Sequence, residues 1–250
     1  MHTPGWRQWG FKQKQQHAIS KINNTDHRVG DFVRPKHLAI ELSKLIPHPQ
    51  HNVNLEQYAT EGDLAAFFVL AVDQLEDISG KTIVDIGSGN GILGIGCAIL
   101  GAEKTILIEA DDEVSKVAVQ NIATISQKYS ADIKAINCHI GKDEDPNVDH
   151  CDIVIMNPPW GFQTNKADRP LLDYGFSLKP HSLYVLHSAK STHLERVGQL
   201  FGYQCEIVFE SNFRLPAKYS FQTRKMSETA VKCWRFYQPG DAKLSEEIDR

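Results

Sequence analysis

Thr82-Ile83-Val84-Asp85-Ile86-Gly87-Ser88-Gly89-Asn90-Gly91 decides the fold, because an apolar run, a glycine loop and the start of a helical stretch follow one another in that order. Residues 82–86 read as a strand inside a sheet, and residues 92–100 as the helix it feeds. The glycines let the backbone turn tightly and come close to a ligand. The same alternation continues downstream, with strands expected over residues 105–109, 133–137, 152–156 and 182–187 and helices over 114–128 and 192–201. Such alternation builds a parallel sheet covered by helices on both faces. Residues 204–210 and 230–236 have no long helix between them, which predicts an antiparallel pair at the C-terminal edge. The expected class is α/β.

Upstream, short amphipathic helices are expected at 38–45, before Pro47 and Pro49, and at 64–75. Residues 1–34 are polar and aperiodic, and read as a partly flexible arm carrying Trp6, Trp9 and Phe11; residues 35–250 form one catalytic domain. A 41% hydrophobic and 23% charged composition is that of a globular chain, with no apolar run able to cross a bilayer, and Met1-His2-Thr3-Pro4-Gly5-Trp6 does not show the charged-then-apolar layout expected of a secretory signal. The expected location is the cytoplasm. Cys97, Cys138, Cys151, Cys205 and Cys233 are scattered through apolar stretches, which predicts buried free thiols and no zinc motif. The net charge of −4 does not point to a protein held to nucleic acid by bulk electrostatics. Basic residues do gather at both ends: Lys12, Lys14, Lys21, Arg28, Arg34 and Lys36, then Lys218, Arg224, Lys225, Lys232 and Arg235. They are read as phosphate contacts or as solvated surface.

Spacing separates the cofactors that a glycine loop can hold. A dinucleotide site wants GxGxxG over a pyrophosphate, whereas Gly87, Gly89 and Gly91 give GxGxG, preceded by Asp85. A carboxylate there repels a pyrophosphate and suits the cationic aminopropyl end and sulfonium of S-adenosylmethionine. It can also bond nearby backbone N–H groups. Glu109, at the end of the second strand, is the acid expected to accept the ribose hydroxyls, with Asp111 and Asp112 left to cap the following helix. A Rossmann-like class I methyltransferase domain is the fold these features predict.

Asn157-Pro158-Pro159-Trp160 follows the fourth strand, at the carboxyl edge where open α/β sheets bind ligands. The prolines stiffen the turn and aim its carbonyls. An amine on an aromatic ring is a poor nucleophile, its lone pair being delocalised. The Asn157 side-chain carbonyl and the Pro158 backbone carbonyl can accept its two hydrogens and favour the pyramidal, reactive geometry. Trp160 would stack on a base flipped out of its helix.

These residues resemble the small-subunit ribosomal RNA adenine-N6 methyltransferases of eukaryotes and archaea, the methyltransferase-like protein five group. The resemblance runs from about Pro35 to Phe236, through Leu55-Glu56-Gln57-Tyr58-Ala59-Thr60, Met156-Asn157-Pro158-Pro159-Trp160-Gly161, Ser182-Leu183-Tyr184-Val185-Leu186-His187 and Leu215-Pro216-Ala217-Lys218-Tyr219-Ser220-Phe221. It implies Gln57, Tyr58 and Thr60 as cofactor contacts, adenine in structured RNA as substrate, and a small zinc-binding activator subunit as partner in a heterodimer. Strand pairing with that partner is expected at the third strand. Two departures stand out: Trp160 replaces the usual Phe, and His139 replaces an acid that contacts the cofactor's adenine amine. A neutral imidazole can still accept there, and a surface histidine is the alternative reading.

The other histidines show no i,i+4 pair with a third ligand, so no metal is expected. His187 ends the fifth strand at the same edge, and a satisfied structural histidine is its plainer reading. Two alternatives stay open: the same chemistry on DNA adenine or a protein glutamine amide, and a methyltransferase fold kept as a non-catalytic binding subunit.

Overall fold

The computed structural model describes residues 35–49, 60–160, 166–214 and 228–244. Gln57 and Tyr58, the N-terminal arm, and the basic loop containing Lys218, Arg224 and Lys225 lie outside them. The elements run α1 (Pro35–Ser43), α2 (Gly62–Glu76), β1 (Thr82–Ile86), α3 (Ile92–Ile99), β2 (Lys104–Glu109), α4 (Asp112–Tyr129), β3 (Ile133–Asn137), β4 (Ile153–Met156), α5 (Arg169–Ser177), β5 (Ser182–Ser188), α6 (Leu194–Leu200), β6 (Gln204–Arg214) and β7 (Glu228–Tyr237). They form a seven-stranded sheet in the order β3-β2-β1-β4-β5-β7-β6.

Strands β1 to β5 pair in parallel, while β7 pairs antiparallel with both β5 and β6. The antiparallel pair expected at the C-terminus is present, but of its two strands β7 lies inside the sheet and only β6 is at an edge. From β1 the chain winds outward through β2 and β3, then returns to β4 on β1's other side. The carboxyl ends of β1 and β4 thus flank a topological switch point, the place where open α/β sheets bind their ligands.

Burial explains the strand sequences. Ile83, Val84, Ile86, Ile153, Val154, Ile155 and Met156 are each at most 1% exposed, because helices cover both faces. One apolar layer joins α1, α2 and α3 to the sheet, and the other joins α5 and α6 to it. Every residue of α3 is buried, and a Cβ at Gly94 would meet Asp85 Cβ at 3.2 Å and Thr105 Cγ2 at 3.0 Å. Glycine is what lets this helix lie so close to β1 and β2.

A buried ionic knot fastens the far side. Arg235 is fully buried and donates to Glu76 (2.7 Å), Glu206 (2.9 Å) and Asp241 (2.8 Å), while the Tyr184 hydroxyl donates to Glu76 (2.8 Å). This corrects the reading of Arg235 as a phosphate contact. Its charge is consumed in tying α2 and β6 to β7. Lys232 faces Glu210 at 3.6 Å. The thiols behave as expected, with Cys97, Cys138, Cys151 and Cys233 buried, Cys205 half-buried and all five free.

Candidate active site

Asp85, Gly87, Gly89, Gly91, Glu109, His139, Asn157 and Trp160 all fall at the carboxyl edge of the sheet, on the ends of β1, β2, β3 and β4. Ile86 is in register with Ile108 on one side and Met156 on the other, so the glycine loop, the acid and the proline turn leave adjacent strands together. Gly91 stands at φ +87° as the N-cap of α3, and Gly87 and Gly89 are also left-handed at +69° and +58°. A side chain at any of the three would be strained.

The two carboxylates of the loop play different parts. Glu109 accepts from the Gly89 N–H at 2.8 Å and from the Asp111 N–H at 2.9 Å, one on each oxygen. Each oxygen keeps a second lone pair for a ligand hydroxyl. Burial pushes its carboxyl above the ordinary value, against the pull of those N–H groups. Asp111 accepts from Glu113 N and Val114 N and caps α4, the task expected for it.

Asp85 is 1% exposed and turns under the loop, accepting from the Gly94 N–H at 2.9 Å. It thus fixes the start of α3. Its Oδ1 has no hydrogen-bond partner among the described residues. Burial pushes the carboxyl up to about 7, with the Gly94 N–H opposing and Glu109 adding to the rise.

Residues 46–48 lie along the loop. Asn121, 2% exposed, accepts from Ile46 N (2.8 Å) and donates to Ile46 O (3.1 Å) and Asn90 O (3.0 Å). Nothing in the sequence singled out this asparagine. Its side chain is the strut that holds the loop, α4 and the segment after α1 at fixed distances. On the far flank, His139 Nδ1 lies 3.2 Å from the Ile140 carbonyl. A carbonyl only accepts, so Nδ1 is the donor in this contact.

The turn after β4 is organised by its own side chains. The Trp160 indole N–H donates to Asn157 Oδ1 at 3.3 Å, and Asn157 Nδ2 donates to the Thr60 hydroxyl at 3.0 Å. An indole nitrogen can only donate, which settles the orientation of the amide. Oδ1 retains a lone pair for an incoming amine, and Thr60 ties the segment before α2 to the turn. Trp160 is half-buried, with its ring 6.1 Å from that of His187.

Sequence spacing gave no metal site, but the fold assembles three side chains from distant positions: Asp168, His187 and His193 have ligand atoms within 4.8 Å of one another. Asp168 precedes α5, a helix the sequence reading missed. Burial pushes the Asp168 carboxyl up, yet the two imidazoles outweigh it and hold the group below its ordinary value.

The sheet order, the left-handed glycine loop and the acid at the end of β2 define a Rossmann-like class I methyltransferase fold. The family model described as Conserved hypothetical protein 95 matches residues 64–207, and the chain belongs to that family. MJ0284 of Methanocaldococcus jannaschii is 32% identical over 84% of this chain and 96% of its own length. The rRNA N(6)-adenosine-methyltransferase METTL5 of Danio rerio is 28% identical over 73% of this chain and 88% of its own. Among solved structures, PH1948 of Pyrococcus horikoshii, a candidate RNA methyltransferase, superposes with a TM-score of 0.70 at 31% identity, covering 83% of this chain and 99% of that one.

Proposed function

We propose that the chain transfers a methyl group from S-adenosylmethionine to the N6 amine of an adenine in structured RNA, most specifically small-subunit ribosomal RNA. The observation that carries this is the Asn157 amide, whose oxygen is aimed by the Trp160 N–H beside a glycine loop suited to a nucleoside. When bound, the cofactor supplies an electrophilic methyl on a sulfonium. Glu109 would hold its ribose, His139 its adenine amine, and Gln57, Tyr58 and Thr60 would cover it. The buried Asp85 oxygen without a partner, the left-handed glycines and the two acceptors on Glu109 fit such a ligand.

Trp160 stacks on the target base, while Asn157 Oδ1 and the Pro158 carbonyl accept the two N6 hydrogens and draw the lone pair out of the ring. Pro159 keeps the turn rigid. No strong base is needed at this step. The rRNA N(6)-adenosine-methyltransferase relatives support adenine as target.

The small zinc-binding activator subunit would add a strand beside β3, an edge strand whose Ile133 and Ile136 are only half-buried. Five free cysteines suit the cytoplasm, a reducing compartment.

The test combines methyl transfer from deuterated S-adenosylmethionine to ribosomal RNA with cofactor calorimetry, for wild type and Asn157→Ala. Loss of N6-methyladenosine formation with nearly unchanged cofactor affinity is expected. Equal loss of both would overturn the role given to Asn157.

A further inference from the structure

Asp168 occupies the N-cap position of α5, yet its side chain makes no cap hydrogen bond. Aspartate at this position ordinarily satisfies the first free N–H groups of the helix. Here the carboxylate turns away, 2% exposed, and its Oδ2 lies 2.5 Å from His193 Nε2 and 3.3 Å from His187 Nε2. At 3.3 Å the His187 nitrogen is within ion-pair reach but not aligned for a hydrogen bond. The side chain of His187 is 2% exposed and that of His193 is 44% exposed, so the three form a path from the interior to solvent.

The inner end of that path is the catalytic turn. The His187 ring lies 6.1 Å from Trp160, tilted by 32°, and Trp160 in turn orients the Asn157 amide. A divalent cation would be another use for two imidazoles and a carboxylate. Tetrahedral ligands at zinc distances stand about 3.3 Å apart, however, which is wider than the contact of Asp168 with His193. That contact is a hydrogen bond.

We propose that Asp168, His187 and His193 are positioning residues for methyl transfer: Asp168, held by His193, confines the His187 ring through their 3.3 Å contact, and His187 sets the plane of Trp160 and, through it, the aim of the Asn157 oxygen. The inference rests on the reaction proposed above. A shift of the Trp160 plane displaces both the stacked base and the acceptor of its amine hydrogen, and small displacements of this kind cost on the order of 100-fold in rate. Cofactor contacts at the glycine loop and Glu109 do not pass through this path.

The test measures kcat and KM for the RNA, cofactor affinity by calorimetry, melting temperature, and zinc uptake from added zinc chloride, for Asp168→Asn, His187→Gln, His187→Ala and His193→Gln. Asp168→Asn and His187→Ala are expected to lower kcat by roughly 10- to 100-fold with cofactor affinity unchanged. His187→Gln, which keeps a donor towards Asp168, recovers part of the loss. His193→Gln sits at the exposed end and decides the matter if a buried variant fails to fold; a severalfold loss of kcat at wild-type melting temperature is expected. Wild-type kcat in the folded variants, parallel loss of cofactor affinity, or stoichiometric zinc binding abolished by Asp168→Asn would each overturn the assignment. A wild-type protein that makes no N6-methyladenosine would instead overturn the reaction on which it rests.

Discussion

Replacing Asp85 by asparagine is expected to stabilise the cofactor-free protein at neutral pH while weakening its hold on S-adenosylmethionine. The carboxyl is 1% exposed, has one backbone donor, and is held near 7 against an ordinary value of 3.8. A carboxyl raised in the folded state ionises first in the unfolded chain, so stability falls as pH rises from about 4 to about 7 and is flat above that. The difference corresponds to an upper bound of about 4 kcal/mol. The asparagine keeps an oxygen for the Gly94 N–H but puts an amide donor where Oδ1 has no partner among the described residues, at a cost of about 1–3 kcal/mol. A net gain of about 1–3 kcal/mol above pH 7 remains, or roughly 2–12 °C in melting temperature for a chain of this size. The assay is denaturant unfolding of both proteins from pH 5 to 8. Subtracting the curves cancels the other buried carboxyls, Asp73 and Glu109, which are also raised. A difference that does not change with pH, or a variant less stable than wild type at pH 8, would refute the reasoning.

Glu109→Gln sets a donor against one of two backbone N–H groups and removes a charged acceptor, and is expected to weaken cofactor binding by about 1.5–3 kcal/mol in calorimetry. Trp160→Ala is expected to weaken RNA binding by about 1–3 kcal/mol through lost stacking, and an unaltered affinity in a titration would speak against the platform role. Arg235→Met leaves Glu76 and Glu206 buried without their cation; a loss of about 3–5 kcal/mol in urea unfolding is expected.

The inner parallel strands β1, β2, β4 and β5 were legible because they are apolar and buried on both faces. Boundaries moved by one to four residues, as where β6 extends to Arg214 with a register shift near Ile207. Helix α5 escaped because Arg169–Ser177 is short and contains Pro170 and Gly175, which read as a loop. Pro170 in the first turn was the available signal, since proline there starts a helix rather than breaking one. Gly175 packs closely: a Cβ there would meet Met156 Cε at 2.9 Å and Leu183 Cδ1 at 3.0 Å, so those side-chain ends would have to give way.

At the site, the glycine loop, Glu109 and the proline turn announced themselves because each is a local motif with its own chemistry. Asn121, Asp168 and His193 did not, because their partners are distant in sequence and no spacing rule reaches them. Arg235 misled for the same reason. A lone basic residue in a C-terminal strand looks like surface until Glu76, Glu206 and Asp241 converge on it.

The central claim is methylation of adenine N6 in ribosomal RNA by the turn at Asn157. It is tested most directly by nucleoside mass spectrometry of small-subunit ribosomal RNA from cells deleted for this chain, rescued with wild type or Asn157→Ala. One N6-methyladenosine is predicted to vanish on deletion and to return with wild type alone. An unchanged modification profile, or full restoration by Asn157→Ala, would contradict the account.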